Sequence, residues 1–164
     1  EEAYSLAILL SETVPATESW KSKVLATDLL GSAIISASKG QYPSSSLRLI
    51  SPHLRNSYFT KAEMNGRERS YEISPAIRKM VSFRRANMYD PKFWGMLRQQ
   101  FDLIVCNNLL IYFHALAVQQ TVERMARALK PGGLLVVMKN EADYVNHASL
   151  RLDETLPGAF FKKV

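Results

Sequence analysis

The stretch FDLIVCNNLLIYF, Phe101 to Phe113, constrains this chain more than any other segment. Phe101 and Asp102 lead into Leu103, Ile104, Val105 and Cys106, a short, partly β-branched apolar run bounded by polar residues, which predicts a fully buried strand. Asn107 and Asn108 then stand where that strand leaves its sheet. In open α/β sheets, ligands bind in the crevice outside the carboxyl ends of the strands. Two adjacent carboxamides there can each offer a donor and an acceptor. The same pair is also an ordinary strand-end turn, since Asn is a common turn residue. After Leu109, Leu110 and Ile111 comes Tyr112, with a ring to pack and a hydroxyl to aim.

With 164 residues, 47% of them hydrophobic, the chain suffices for one domain around one core. It opens at Glu1 without a methionine, directly in the helical pattern AYSLAILL, so we expect the start of the domain to lie upstream. That run, preceded by two glutamates, has neither the length of a membrane span nor the form of a secretory signal, and the expectation is a soluble protein. Cys106 is the single cysteine and falls in the predicted buried strand, which excludes an intrachain disulfide and a cysteine-based metal site and fits a reducing, cytoplasmic setting. The net charge of +6 arises between Arg48 and Arg85, where nine Lys or Arg face three Glu. Such a basic segment suits an acidic partner or is simply a solvated surface.

Along the chain, Leu6, Leu9 and Leu10 recur at helical spacing from Glu1 to Glu12, with Glu1 and Glu2 in the first turn where the macrodipole favours negative charge. A loop around Pro15 precedes KVLATD, Lys23 to Asp28, a short strand ending on an acid. An acid leaving the second strand of a nucleotide-binding α/β unit can accept both ribose hydroxyls, and Asp is equally a favoured helix N-cap. The helix it would cap runs from about Leu29 to Ser38 and closes at Gly40. In the basic part, Leu47, Ile50 and Leu54 predict a short helix, and Tyr58, Phe59, the turn-like Asn65 and Gly66, Tyr71 and Ile73 predict a hairpin. Ser74 and Pro75 start a helical turn, and Val81 to Asp90 is a strand ending in the polar cluster Asn87, Met88, Tyr89 and Asp90. Val118, Val122, Met125, Ala126 and Leu129 form one stripe of a helix from Ala115 that stops at Lys130, Pro131, Gly132 and Gly133. Leu134 to Met138 reads as a buried strand, the polar stretch from Asn140 to Thr155 resists assignment, and Gly158 to Val164 predicts an edge strand with Phe160 and Phe161 on opposite faces. The order implies an α/β doubly wound, Rossmann-like sheet lacking its first strand, with a basic hairpin insertion over about 43–75 and an antiparallel C-terminal edge strand, in a single domain spanning 1–164.

The segments EEAYSLAILL, ATD, VSFRRANMYD, FDLIVCNNLLIYF, LKPGGLLVV and PGAFFKKV occur in the order and approximate spacing of the chemotaxis-receptor (CheR) methyltransferases, protein-glutamate O-methyltransferases dependent on S-adenosyl-L-methionine (SAM). FDLIVCNNLLIYF is similar to the family's F-D-x-I-x-C-R-N-x-x-I-Y-F, a specific signature, whereas the LKPGG element is shared by many SAM methyltransferases. The resemblance implies that Glu2 lies by the methionine end of SAM, that Asp28 binds the ribose, and that Asn87 and Met88 flank the adenine. Asn107 and Asn108 match the family's Arg-Asn pair, and Tyr112 matches the tyrosine beside the reactive methyl. Each residue taken alone is better explained as cap, turn or core; the ordered set carries the resemblance.

Three departures stand out. Asn107 replaces an arginine, removing a fixed charge and a planar donor fork. In the stretch Met138, Lys139, Asn140 and Glu141, where the family has glycine, histidine, serine and glutamate, the first three differ and Glu141 matches. The family's glycine-rich first motif and N-terminal helical domain do not occur in this chain.

The implied reaction is methyl transfer from SAM to receptor glutamates, with S-adenosyl-L-homocysteine as product and no metal. A carboxylate is already ionised at neutral pH, so no general base is needed, in keeping with the lack of a His or Cys nucleophile constellation. Arg67, Arg69, Arg84 and Arg85 would help hold an acidic helical region or tail of a receptor. Neither nucleic acid nor membrane insertion is expected, and His53, His114 and His147 are read as surface or capping residues. The alternative is a degenerate SAM-binding or protein-interaction module without transfer; a nucleic-acid methyltransferase is a third reading, prompted only by the basic insertion.

Overall fold

The computed structural model describes residues 1–14, 22–64 and 68–164, apart from the side chains of 63, 64, 68 and 69. The expected loop at Pro15 and the hairpin tip at Asn65 and Gly66 lie outside the described residues. The chain forms two compact units, Glu1–Ala86 and Asn87–Val164.

In the first unit, α1 (Glu2–Thr13) precedes β1 (Val24–Asp28), α2 (Gly31–Lys39) and β2 (Gln41–Pro43). They are followed by α3 (Pro52–Tyr58), β3 (Phe59–Met64), β4 (Glu68–Ile73), α4 (Pro75–Arg78) and β5 (Val81–Arg85). β1 and β5 pair in parallel, with α1 and α2 packed against them. β4 lies between β2 and β3 in an antiparallel sheet, so the strands of the expected hairpin are joined by a third strand, from residues just before the basic insertion, that sequence patterning does not indicate. At three residues, β2 is too short to show alternation.

α1 buries Tyr4, Ala7 and Ile8, whereas Leu9 is 57% exposed and Leu6 and Leu10 are only partly buried. The buried face is thus not the expected leucine stripe: at 100° per residue, positions 4, 7 and 8 share one face, whereas Leu6 and Leu9 lie about 150° round the helix from its centre and Leu10 about 110°. Ser51 and Ser74 each cap a helix whose first residue is proline, accepting from Leu54 N and Ile77 N. α2 ends at Gly40, in the left-handed region at φ 65°.

The second unit contains α5 (Pro91–Trp94), β6 (Phe101–Cys106), α6 (Ala115–Ala128), β7 (Leu129–Val137), β8 (Leu150–Leu152) and β9 (Ala159–Lys163). β6 and β7 are parallel and joined through α6, the βαβ arrangement of nucleotide-binding sheets. β9 runs antiparallel to β7, as expected, but it is not the edge: β8, from the polar stretch 140–155, covers its outer side in the order β6-β7-β9-β8. Val118, Val122, Met125 and Ala126 of α6 meet Leu129, Leu135 and Phe161 in the core, so the predicted stripe is the buried one.

β6 departs from its expectation. Cys106 is its one buried residue and Val105 is 43% exposed, so β6 is not a fully buried strand. It is an end strand bonded to β7 alone among the described residues, and an end strand has one flank uncovered. Met138, beyond the end of β7, is likewise 43% exposed.

Candidate functional site

In the first unit, β1 ends on Asp28, opposite Arg85 at the end of β5. The exposed Asp28 carboxylate accepts the Leu30 N–H at 2.7 Å through Oδ1, and the Asp28 carbonyl accepts the Ala86 N–H at 2.9 Å. Leu30, not Asp28, is the N-cap of α2 and makes no side-chain cap bond. Asp28 instead shapes the turn before the helix by closing an Asx turn two residues long. Its carboxylate is therefore fixed at the carboxyl end of a parallel pair with acceptor capacity beyond that single N–H. Arg85 Nε donates to the Leu29 carbonyl at 3.0 Å, bracing the same loop. Arg84 and Glu2 are exposed, Glu2 in the first turn of α1. Arg69 pairs with Glu63 in the β3–β4 ladder, while its side chain and all of Arg67 lie outside the described residues.

In the second unit, Asn87 starts a tight turn. Its Oδ1 accepts the Tyr89 N–H and its carbonyl the Asp90 N–H, both at 2.9 Å. The Met88 side chain is half-buried, and its carbonyl accepts the Trp94 Nε1–H at 2.8 Å. Tyr89 meets the His114 ring edge-on at 6.5 Å and lies under the Arg124 guanidinium, which also donates to the Tyr89 carbonyl at 2.8 Å. His114 is the N-cap of α6, its Nδ1 accepting the Ala117 N–H at 3.3 Å. Asn107, Asn108 and Tyr112 lie on the segment from β6 to His114, Tyr112 within a 3₁₀ turn, Leu110–Tyr112, and 77% exposed. Tyr89 thus touches the N-cap residue of the helix into which the Asn107–Tyr112 segment leads.

Sequence reasoning missed what holds that segment. Glu141 is fully buried, at 0% exposure, in the 3₁₀ turn Lys139–Tyr144. Its Oε2 accepts the Asn108 N–H at 2.8 Å, and its Oε1 accepts Leu110 N–H at 2.8 Å and Ile111 N–H at 3.4 Å. Asn108 has φ 55°, left-handed, where Asn is among the better-tolerated residues. The one signal in the sequence is that Glu141 matches the glutamate of the resembled family after this strand; nothing in its neighbours marks it as buried.

His147 is half-buried and is neither a surface residue nor a cap. Ser149 N–H donates to its Nδ1 at 3.1 Å, which leaves Nε2 to donate to Glu123 Oε2 at 2.5 Å. Glu123 also pairs with Arg127 at 2.6 Å. The His147 hydrogen bond, with smaller help from Arg127, holds the Glu123 carboxyl below its ordinary value of 4.5 against the opposing effect of burial. A lowered folded-state value means that stability from this tie between α6 and the segment before β8 is present above the ordinary value and is lost as pH falls through the lowered one. The expected result is that the melting-temperature gap between wild type and Glu123→Gln narrows as pH is brought down through this acid range. A gap independent of pH there would show that Glu123 makes no charge-linked contribution.

The parallel pairs with polar side chains at their carboxyl ends define a Rossmann-like α/β protein of the nucleotide-binding kind. Residues 1–152 match the CheR methyltransferase, SAM-binding domain family, and the chain belongs to that family. It is 34% identical over 149 residues to a chemotaxis protein methyltransferase of Listeria monocytogenes, covering 88% of this chain and 52% of that one. Identity is 35% over 147 residues to chemotaxis protein methyltransferase 1 of Pseudomonas aeruginosa, covering 87% and 51%. With a probable chemotaxis protein methyltransferase of Rhizobium etli it is 28% over 141 residues, covering 86% and 51%. The chain therefore spans about half the length of these relatives.

Unit by unit, the side chains at the strand ends have chemistry that SAM could use: the Asp28 carboxylate of the first unit can accept from hydroxyls, and in the second unit Asn87 and Asn108 carry carboxamides and Met88 a polarizable thioether. Among the described residues, no helix is long and apolar enough to cross a membrane.

Proposed function

We propose that this chain belongs to a SAM-dependent methyltransferase that esterifies glutamate side chains in the cytoplasmic helical region or tail of chemotaxis receptors, acting in the cytoplasm. The family match over residues 1–152, with the order of Asp28, Asn87, Asn108 and Tyr112 along it, carries this reading. Bound SAM supplies an electrophilic methyl on a sulfonium: transfer breaks the C–S bond, forms a C–O bond and leaves a methyl ester and S-adenosyl-L-homocysteine.

Asp28 accepts from the ribose hydroxyls, Asn87 and Met88 receive the adenine, and Glu2 sits towards the methionine end. Asn107 and Asn108 offer carboxamides to the cofactor, and the exposed Tyr112 hydroxyl orients the acceptor carboxylate or the cofactor. No side chain need remove a proton from a group already ionised, so catalysis rests on positioning and exclusion of water. Arg67, Arg69, Arg84 and Arg85 attract an acidic substrate segment, with Arg85 also bracing the loop beside Asp28.

A second reading is a SAM-binding or interaction module without transfer, favoured by Asn107 in place of the family's arginine. Titrating the intact gene product with SAM, then incubating it with receptor-derived peptides and labelled SAM, separates the two. A base-labile methyl ester on glutamate is the expected result. Binding without ester establishes the module, and the absence of both removes the SAM reading.

A further inference from the structure

The proposed chemistry does not use Glu141, yet it is one of the few polar side chains buried among the described residues. Burying a carboxylate is costly unless it is fully hydrogen-bonded. Here both oxygens serve as acceptors, Oε2 for Asn108 N–H and Oε1 for Leu110 and Ile111 N–H. These donors belong to the turn by which the chain leaves β6. The turn needs help, because Asn108 is left-handed at φ 55° and the N–H groups of the following 3₁₀ turn have no intrahelical acceptor. The glutamate is held in return by its own backbone, Glu141 N–H donating to the Met138 carbonyl at 2.8 Å at the exit of β7. The ends of two parallel neighbours, β6 and β7, are thereby locked together through one side chain.

We propose that Glu141 is a positioning residue for cofactor recognition: its carboxylate fixes the Asn107–Ile111 turn so that Asn108 and Tyr112 are presented outward from β6. This rests on the SAM reading above. A carboxylate is required and an amide will not serve, because Gln keeps the volume but turns one acceptor into an NH₂ group facing a backbone N–H. Two donors then oppose each other in a buried place. Asp keeps the acceptors but draws them back by one methylene, so it restores part of the function.

The test uses the intact gene product carrying Glu141→Gln or Glu141→Asp, read by SAM titration, thermal unfolding and the amide ¹H–¹⁵N shifts of Asn108 and Leu110. Glu141→Gln is expected to weaken SAM binding by roughly tenfold or more, the size of one lost charge-assisted hydrogen bond. A cooperative melting transition should persist, with the Asn108 or Leu110 amide proton moving upfield and Glu141→Asp binding between Gln and wild type. Wild-type affinity in Glu141→Gln overturns the positioning role and leaves the SAM reading intact. If Glu141→Gln gives no cooperative transition, Glu141→Asp decides: weaker binding with a normal melt supports the role, and unchanged binding overturns it. Failure of the wild type itself to bind SAM removes the SAM reading, and this inference with it.

Discussion

Asp28→Ala is expected to weaken SAM binding by about 10- to 100-fold, because a ribose diol donating to a carboxylate forms charge-assisted hydrogen bonds worth ~1.5–3 kcal/mol each. Stability should hardly change. Asp28 is exposed and its described side-chain bond is the 2.7 Å contact with Leu30 N–H, so losing it costs under about 1 kcal/mol. Asp28→Asn separates the two roles, since its amide oxygen still closes the Asx turn while the charge and one acceptor are gone. It should lie between Ala and wild type in affinity and match wild type in melting. Isothermal titration of the three proteins measures both, and equal affinities would remove Asp28 from the ribose.

Gly40→Ala is expected to destabilise the first unit by about 2–4 kcal/mol, combining left-handed backbone strain with overpacking. Gly40 has φ 65°, and a Cβ there would stand 2.5 Å from Cγ2 of Ile73. Ile73 is 1% exposed and its N–H donates to the Gly40 carbonyl at 2.9 Å, while its β-branch fixes χ1, so it cannot swing aside. Gly132 is the natural control, with φ 76° and nothing within 4 Å of its added Cβ. Gly132→Ala bears the backbone strain alone, about 1–2 kcal/mol. Hydrogen exchange at the β4 and β7 amides reads each effect in its own unit. Equal losses at the two glycines would show that the Ile73 contact costs nothing.

Both substitutions touch residues that stand out in the sequence, and the reason is local. An acid at the end of KVLATD and a glycine after a helical run are signals carried by a few neighbouring residues. The α6 stripe was legible for the same cause, since its apolar spacing and LKPGG stop lie within one segment. Burial that depends on neighbours distant in sequence was not legible. β6 has the composition of a buried strand, yet Val105 is 43% exposed because pairing partners, not composition, decide what covers an edge. β8 was invisible because three residues carry no period, and it became a strand only through pairing with β9.

The site divides along the same line. The sequence by itself determined the family, the succession of strands and helices, and the identity of the polar residues at the strand ends, because each is written in contiguous residues. Tertiary structure alone decided that Asp28 shapes a turn without capping α2, that His147 bonds Glu123, and that Glu141, more than thirty residues beyond Asn108, supplies acceptors for that turn. Hydrogen-bond partners at such separations follow from the folded path of the backbone. A glutamate reads the same in a sequence whether water or three buried N–H groups surround it.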